Sequence, residues 1–81
     1  MQITVYTQPN CIYCENLVSF LEEKKVNYKE INIHKSIEVY EEFSQLGGRA
    51  TPYIIKKINN KIVSKIIGFN KKEIITELNI S

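Results

Sequence analysis

The order of apolar patterns along the first 33 residues constrains the fold more than any other feature. Gln2–Thr7 is typical of a strand with apolar residues on both faces, residues 11–25 repeat apolar side chains at helical spacing, and residues 28–33 alternate again. A strand, a helix and a strand within about thirty residues form a βαβ unit, in which the strands pair in parallel through a right-handed crossover. The N-terminal part of the chain therefore predicts a parallel strand pair with a helix packed against it.

A second helix and a hairpin are predicted next. Ser36 is suited to cap a helix, and Gly47 is suited to end it. The apolar runs Tyr53–Ile58 and Lys61–Ile67 flank an Asn-Asn pair at positions 59 and 60, which predicts an antiparallel hairpin with a tight turn. The expected inward face of the second helix is formed by Ile37, Tyr40 and Phe43.

A third helix is predicted near the C-terminal end. Asn70 and Glu73 resemble a capping box, and Phe69 with Ile74 matches a hydrophobic staple. The element order is then βαβ, α, ββ, α, which predicts an α/β protein with a four-stranded mixed sheet and helices on both faces. The expected buried face of this helix is Ile74, Ile75 and Leu78.

Two cysteines, Cys11 and Cys14, stand where the first strand gives way to the first helix. Cys14 continues the apolar stripe of that helix and is expected to be buried, whereas Cys11 follows the polar residues 8–10 and is expected to reach solvent. Free N–H groups and the dipole at a helix start lower the pKa of a thiol there, so that much of it is thiolate near neutral pH. Cys11 is therefore the predicted nucleophile and Cys14 the predicted resolving thiol.

Other roles for the cysteine pair fit the sequence less well. A zinc site needs two more ligands, and His34, which we interpret as a loop residue, is the only histidine in a chain with no further cysteine. A structural disulfide that closes so small a loop stabilises little, because the benefit grows with loop length. Redox chemistry is the favoured interpretation.

Composition excludes several classes of function. The net charge is +2, with 43% hydrophobic and 25% charged residues, which is typical of a globular domain and below the basic signature of a nucleic-acid-binding protein. No run of apolar residues approaches a membrane span, and no leader pattern precedes the first strand. We expect a monomer in the cytoplasm. In that reducing compartment disulfides are transient and catalytic, which fits a dithiol in a chain without other cysteines.

Three stretches share the pattern of a known family. They are residues 4–7 leading into Cys11-Ile12-Tyr13-Cys14, residues 30–33 at the end of the second strand, and residues 47–52. Over nearly its whole length the chain resembles a glutaredoxin, a small thioredoxin-fold protein. The resemblance implies a single glutaredoxin-like domain over residues 1–81 with a thioredoxin-like fold.

The resemblance also implies a binding site around the dithiol. Pro52 is expected to be cis and to face the cysteines, the Thr51 backbone to pair with the substrate's chain, and Tyr13 to lie beside bound glutathione. Gln8 stands where many glutaredoxins have a lysine near the glutathione carboxylate, and Arg49 offers a charge for a carboxylate. The expected glutathione and substrate contacts are Gln8, Tyr13, Arg49, Thr51, Pro52 and Asn70.

Besides Gln8, two further parts of the chain depart from the family pattern. Ile12 replaces the usual proline between the cysteines, and residues 68–72, Gly-Phe-Asn-Lys-Lys, stand where glutaredoxins commonly have Gly-Gly-Cys-Asp-Asp. The missing acidic pair removes a partner for the glutathione amino group and weakens charge complementarity. The Gly68-Phe69 ending resembles instead the redoxins that supply electrons to ribonucleotide reductase and are recharged by thioredoxin reductase.

The predicted function is reduction of disulfides, in proteins or in mixed disulfides with glutathione, through Cys11 and Cys14. Glutathione is the expected co-substrate and no cofactor is expected to bind tightly. The first alternative is a redoxin reduced by thioredoxin reductase that donates electrons to ribonucleotide reductase. The second is an iron–sulfur carrier in which Cys11 from two chains and two glutathiones hold a cluster.

Overall fold

Three helices pack on the two faces of a four-stranded mixed sheet in the computed structural model, which describes residues 1–80. This is the mixed sheet that the element order predicts and the thioredoxin-like arrangement that the family resemblance implies. The strands are β1 (Gln2–Thr7), β2 (Lys29–Asn32), β3 (Tyr53–Ile58) and β4 (Lys61–Ile67), and the helices are α1 (Ile12–Glu23), α2 (Ile37–Gln45) and α3 (Lys71–Leu78).

The sheet has the strand order β2-β1-β3-β4. β1 pairs in parallel with β2, as the βαβ pattern predicts, and antiparallel with β3, while β3 and β4 form the antiparallel hairpin. Asn59 and Asn60, between the two hairpin strands, both have positive φ, 53° and 64°, which is the backbone of a type I′ turn. Because β1 and β3 are antiparallel, the end of β1 and the start of β3 meet at one edge of the sheet.

Each face of the sheet has its own apolar cluster. α1 and α3 cover one face, and α2 covers the other, where Phe43 packs against Tyr6 and Tyr53 with ring centroids 5.6 and 5.7 Å away. The first cluster comprises Ile3, Val5, Leu17, Phe20, Leu21, Ile54, Ile66, Ile74 and Leu78. The second comprises Tyr6, Ile33, Phe43, Tyr53 and Ile55.

Two predicted element ends and three predicted burials are corrected by the structure. α1 ends at Glu23 instead of Lys25, because Lys25 adopts a left-handed φ of 57° and the Val26 N–H returns to the Leu21 carbonyl at 2.9 Å. This is a Schellman ending built without glycine, so the sequence carries no stop signal there. β2 is also shorter than predicted, Lys29–Asn32.

The burial errors have a common geometric cause. α2 and α3 are short and touch the sheet along narrow stripes, Phe43 for α2 and Ile74 with Leu78 for α3. Ile75 follows Ile74 by one residue, so its side chain points about 100° around the helix and is 39% exposed. The other exposed positions are Ile37, at 75%, and Tyr40, at 48%.

Within residues 1–80, every helix falls short of the length and apolar character that crossing a bilayer requires.

Candidate active site

The two cysteines form a disulfide at the start of α1. Cys11 is the N-cap residue, with extended backbone, and its Sγ accepts the Cys14 N–H at 3.2 Å. A helix start leaves several N–H groups without intrahelical partners, and one of them here points at the sulfur. The helix N-terminus is therefore aimed at the atom that carries negative charge once the disulfide is reduced.

The two sulfurs differ in access. Cys14 is buried, with 3% of its surface exposed, as the helical pattern predicts, whereas Cys11 is half-buried. Ile12 and Tyr13 between them are each 61% exposed. A bulky disulfide substrate thus reaches Cys11 before it reaches Cys14, which supports the predicted order of nucleophile and resolving thiol.

The Thr51-Pro52 peptide bond is cis and stands beside Cys11. The Thr51 hydroxyl donates to Cys11 Sγ at 3.6 Å, and the Thr51 carbonyl oxygen lies 3.8 Å from the same sulfur. Tyr6 of β1 pairs with Tyr53 of β3. That register explains the contact, because the chain leaving β1 and the chain entering β3 lie side by side.

Gln8 lies beside Thr51, and its side chain is bonded to two neighbouring residues. Its amide Nε2 donates to Thr51 Oγ1 at 2.7 Å, and its Oε1 accepts from His34 Nε2 at 3.2 Å. Both the amide nitrogen and the amide oxygen of Gln8 are therefore hydrogen-bonded to other residues of the chain. The His34 N–H donates in turn to Asn32 Oδ1 at 2.8 Å, so the loop after β2 is held in place.

His34 lies in the loop after β2, as predicted, but its contact with the candidate site was not predicted. We interpreted it as a loop residue because no sequence neighbour suggests a partner. In the structure Gln8, 26 residues away in the chain, contacts its ring. The signal was the parallel β1–β2 pairing, since the chain ends of parallel neighbours lie at the same edge of a sheet.

A second polar group lies behind Cys14. The Thr7 hydroxyl, buried at the end of β1, donates to Glu30 Oε2 at 2.9 Å. Thr7 and Glu30 line a pocket of about 280 Å³ together with Cys14 and Glu15. Two carboxylates thus stand near the predicted resolving thiol.

The remaining predicted contact residues are Tyr13, Arg49 and Asn70. Tyr13 is on the exposed first turn of α1, and Arg49 is exposed two residues before Thr51. Burial raises the pKa of Tyr53, and the positive charge of Arg49 partly offsets that rise. Asn70 caps α3, its side chain accepting the Glu73 N–H at 3.1 Å. The hydrogen-bonded centre therefore contains Gln8, Cys11, Cys14 and Thr51, with Pro52 beside them.

Within the described residues, 1–80, there is no group of three or more His, Cys, Asp or Glu side chains placed to hold a metal ion.

Comparison with known proteins gives consistent matches. The family model described as Glutaredoxin matches residues 3–63. The glutaredoxin-like protein NrdH of Lactococcus lactis subsp. cremoris is 37% identical over 54 residues, 67% of this chain and 75% of that protein. An uncharacterized glutaredoxin-like 8.6 kDa protein in the rubredoxin operon of Clostridium pasteurianum is 29% identical over 72 residues, 89% of this chain and 91% of that protein.

A solved structure matches along the full length. The glutaredoxin-like NrdH-redoxin of Escherichia coli superposes with a TM-score of 0.81 at 25% identity, covering 100% of this chain and 99% of that one. That protein is described as having a thioredoxin-like activity profile.

Proposed function

The chain belongs to the glutaredoxin family and is a thiol–disulfide oxidoreductase, and on this basis we propose that it reduces protein disulfides with electrons supplied by thioredoxin reductase. The protein substrate that the family resemblance suggests is ribonucleotide reductase. Glutathione is not the main electron donor in this proposal. The whole chain acts as one glutaredoxin-like domain.

The chemistry uses the two cysteines in turn. The Cys11 thiolate attacks one sulfur of a substrate disulfide, which forms a mixed disulfide and releases the other substrate sulfur as a thiolate. The Cys14 thiolate then attacks Cys11 Sγ and releases the second substrate sulfur. The product is the Cys11–Cys14 disulfide of the present structure, and the reductase returns two electrons to it.

The observation that carries the choice of donor is the loop between β4 and α3. The Gly68 N–H donates to the Pro52 carbonyl at 2.8 Å, so this loop abuts the segment beside the dithiol. It continues into Lys71 and Lys72, whereas the family resemblance places an acidic pair there for the glutathione amino group. Two ammonium groups repel that amino group and lower the affinity for glutathione.

The relatives support the same choice. Two of those described above carry the name NrdH, and one is described as thioredoxin-like in activity. Gln8 adds to the argument, because its amide is occupied by Thr51 and His34 and replaces a charged lysine. A glutathione carboxylate would find a neutral, already bonded group.

Glutathione-coupled reduction is the second candidate, since two exposed side chains favour it. Arg49 is exposed close to the Thr51 segment and offers a positive charge to a carboxylate. Tyr13 is also exposed and offers a face for a small tripeptide.

A paired assay of NADPH oxidation separates the two donors. Each reaction contains this protein and a disulfide substrate, with thioredoxin reductase alone in one arm and glutathione plus glutathione reductase in the other. We expect turnover with thioredoxin reductase and a rate at least about tenfold lower with glutathione. A tenfold difference corresponds to about 1.4 kcal/mol of activation free energy. Faster turnover in the glutathione arm would overturn the proposal.

A charge-reversal variant tests the structural reason. Lys71→Asp/Lys72→Asp introduces, at the start of α3, the acidic pair that glutaredoxins commonly have at these positions, and should raise the glutathione-dependent rate. The matched control is Lys25→Asp/Lys61→Asp, which makes the same change in charge at the far end of α1 and at the far end of β4 from Gly68. An equal gain in both variants would show that net charge, not position, is responsible.

A further inference from the structure

Three hydrogen bonds form a continuous chain from the loop after β2 to the predicted nucleophile. His34 Nε2 donates to Gln8 Oε1 at 3.2 Å, Gln8 Nε2 donates to Thr51 Oγ1 at 2.7 Å, and Thr51 Oγ1 donates to Cys11 Sγ at 3.6 Å. Every donor in this chain points toward the sulfur. The four side chains come from the loops after β1 and β2, the loop before β3, and the cap of α1.

We propose that Gln8 and His34 are positioning residues that act on Cys11 through Thr51: they fix the Thr51 hydroxyl in the orientation that donates to the attacking sulfur. Neither residue touches the sulfur itself. Their effect is on the fraction of Cys11 present as thiolate and hence on its rate of attack.

The argument depends on the two orientations of a primary amide. With Oε1 toward His34, the Gln8 amide presents N–H groups to Thr51 Oγ1, which then must use its own hydrogen elsewhere, and Cys11 Sγ is the acceptor at hand. With the amide turned over, its oxygen would accept the Thr51 hydroxyl hydrogen. The sulfur would then lose its donor.

His34 selects between these orientations. In the tautomer that carries its hydrogen on Nε2, the ring donates to the Gln8 oxygen and favours the orientation that keeps this oxygen on the His34 side. Gln8 is half-buried and His34 is exposed, so the inner bond to Thr51 is the more protected one. We expect the effect of His34 to be smaller than that of Gln8.

His34 has charged and titratable neighbours on the side away from the dithiol. Lys35 follows it in the loop, and Tyr40 and Glu41 of α2 line the same surface pocket. Gln8, on the side of the dithiol, is neutral. The proposed action on Cys11 is therefore transmitted through bond orientation, without a change in the charge of His34.

A donor to the sulfur favours the thiolate over the thiol, because a hydrogen bond stabilises the charged form more than the neutral one. The Thr51 hydroxyl adds to the Cys14 N–H, which already points at Cys11 Sγ from the helix. Removing the hydroxyl should leave the helix contribution intact. The expected change is thus partial.

The experiment is an ultraviolet titration of the Cys11 thiolate in the reduced protein, with the rate of alkylation against pH as a second readout. Thr51→Val removes the hydroxyl at nearly constant shape and should raise the pKa of Cys11, reducing the thiolate fraction below the midpoint about tenfold. Thr51→Ser keeps a hydroxyl and should keep most of the thiolate fraction of the parent protein. Gln8→Leu should reduce the fraction about threefold, and His34→Leu by less.

Double variants identify the route of the effect. Because Gln8 acts through Thr51, the Gln8→Leu change should add nothing in the Thr51→Val background. Gln2→Leu is the matched control, since Gln2 is exposed at the opposite end of β1 from the dithiol, and it should leave the titration unchanged. Circular dichroism of each variant verifies the fold.

Two results would overturn the proposal. One is an unchanged Cys11 titration in folded Gln8→Leu, which would leave Gln8 with no influence on the sulfur. The other is full additivity of Gln8→Leu and Thr51→Val, which would show that Gln8 acts by another route. The proposal relies on Cys11 as the attacking sulfur and on no particular electron donor, so a failed thioredoxin reductase assay leaves the titration result standing.

Discussion

Cys11 and Cys14 lie on one helical turn, yet only the first is placed to attack a substrate. Cys11 is half-buried and caps the helix, while Cys14 is 3% exposed. Cys11→Ser should abolish turnover with every disulfide substrate, because a serine hydroxyl is neither ionised nor able to form the mixed disulfide. Turnover is measured as NADPH oxidation with a saturating reductase.

Cys14→Ser is the matched partner of that variant. It should spare only reactions in which glutathione resolves the mixed disulfide on Cys11. Wild-type turnover of Cys11→Ser would contradict the assignment of the nucleophile.

Tyr6 gives stability a dependence on alkaline pH. Burial raises the pKa of its hydroxyl, and the hydrogen bond to Glu42 Oε1, at 2.8 Å, raises it further. An unfolded tyrosine loses its proton near about pH 10, whereas the folded state keeps it. The contribution of Tyr6 is therefore fully present below about pH 10 and is lost as the pH rises above it, at up to about 1.4 kcal/mol per pH unit.

Urea unfolding at a series of alkaline pH values measures this decline. Tyr6→Phe should start from a lower stability, since Glu42 loses its donor, and should then decline less steeply. The exposed Tyr13→Phe is the control and should decline in parallel with the parent. Parallel curves for all three proteins would show that Tyr6 does not cause the loss of stability at alkaline pH.

At the scale of single residues, the sequence predicted features that depend on local patterns better than contacts between residues distant in the chain. The burial of Cys14 follows from helical spacing, and the cis state of the Thr51-Pro52 bond was implied only by resemblance. The bond between Gln8 and His34 joins two loops whose conformations depend on the packed sheet. No local pattern encodes it.

Among the elements, α3 depends on its cap. Asn70 Oδ1 accepts the Glu73 N–H at 3.1 Å in a helix of eight residues. Because so short a helix has few hydrogen bonds, the loss of this one removes a large fraction of them. Asn70→Ala should lower the free energy of unfolding by about 0.5–2 kcal/mol, measured by urea denaturation. Asn70→Asp keeps the acceptor and should stay near the parent.

The same pair of variants tests the glutathione contact predicted for Asn70. If Asn70 serves only as a cap, Asn70→Ala should leave KM for glutathione unchanged under conditions where the protein is folded. A raised KM in both variants would instead indicate a contact with the ligand.

The strands were predicted more accurately than the helices. The bounds of β3 and β4 match the predicted runs, because turn residues flank them on both sides. Helix ends and helix faces were harder. α1 ends on a lysine in a left-handed conformation, and the burial of α2 depends on how far a nine-residue helix reaches across the sheet.

The whole molecule is joined by its two central strands. Val5 and Tyr6 of β1 point to opposite faces of the sheet, and Ile54 and Ile55 of β3 do the same. Because both clusters pack on the same two strands, unfolding of these strands exposes both clusters to water. We therefore expect both clusters to unfold in a single cooperative transition.

Two optical probes test this cooperativity. Tyr6 and Tyr53 in the second cluster dominate the buried tyrosine signal, so near-ultraviolet circular dichroism follows that cluster and far-ultraviolet dichroism follows the whole backbone. Leu21→Ala in the first cluster should lower both transitions together by about 2–5 kcal/mol. Separate midpoints would show two independent units.

The sulfur of the predicted nucleophile, Cys11, also belongs to the residue that caps α1. When Cys11 is a thiolate, the Cys14 amide meets a full negative charge, and when it is half of a disulfide the same amide meets a neutral sulfur. In the oxidised protein the bond between Cys11 and Cys14 also closes the first turn of α1 covalently. Reduction therefore replaces a covalent tie across that turn with an electrostatic one between the Cys11 thiolate and the Cys14 amide.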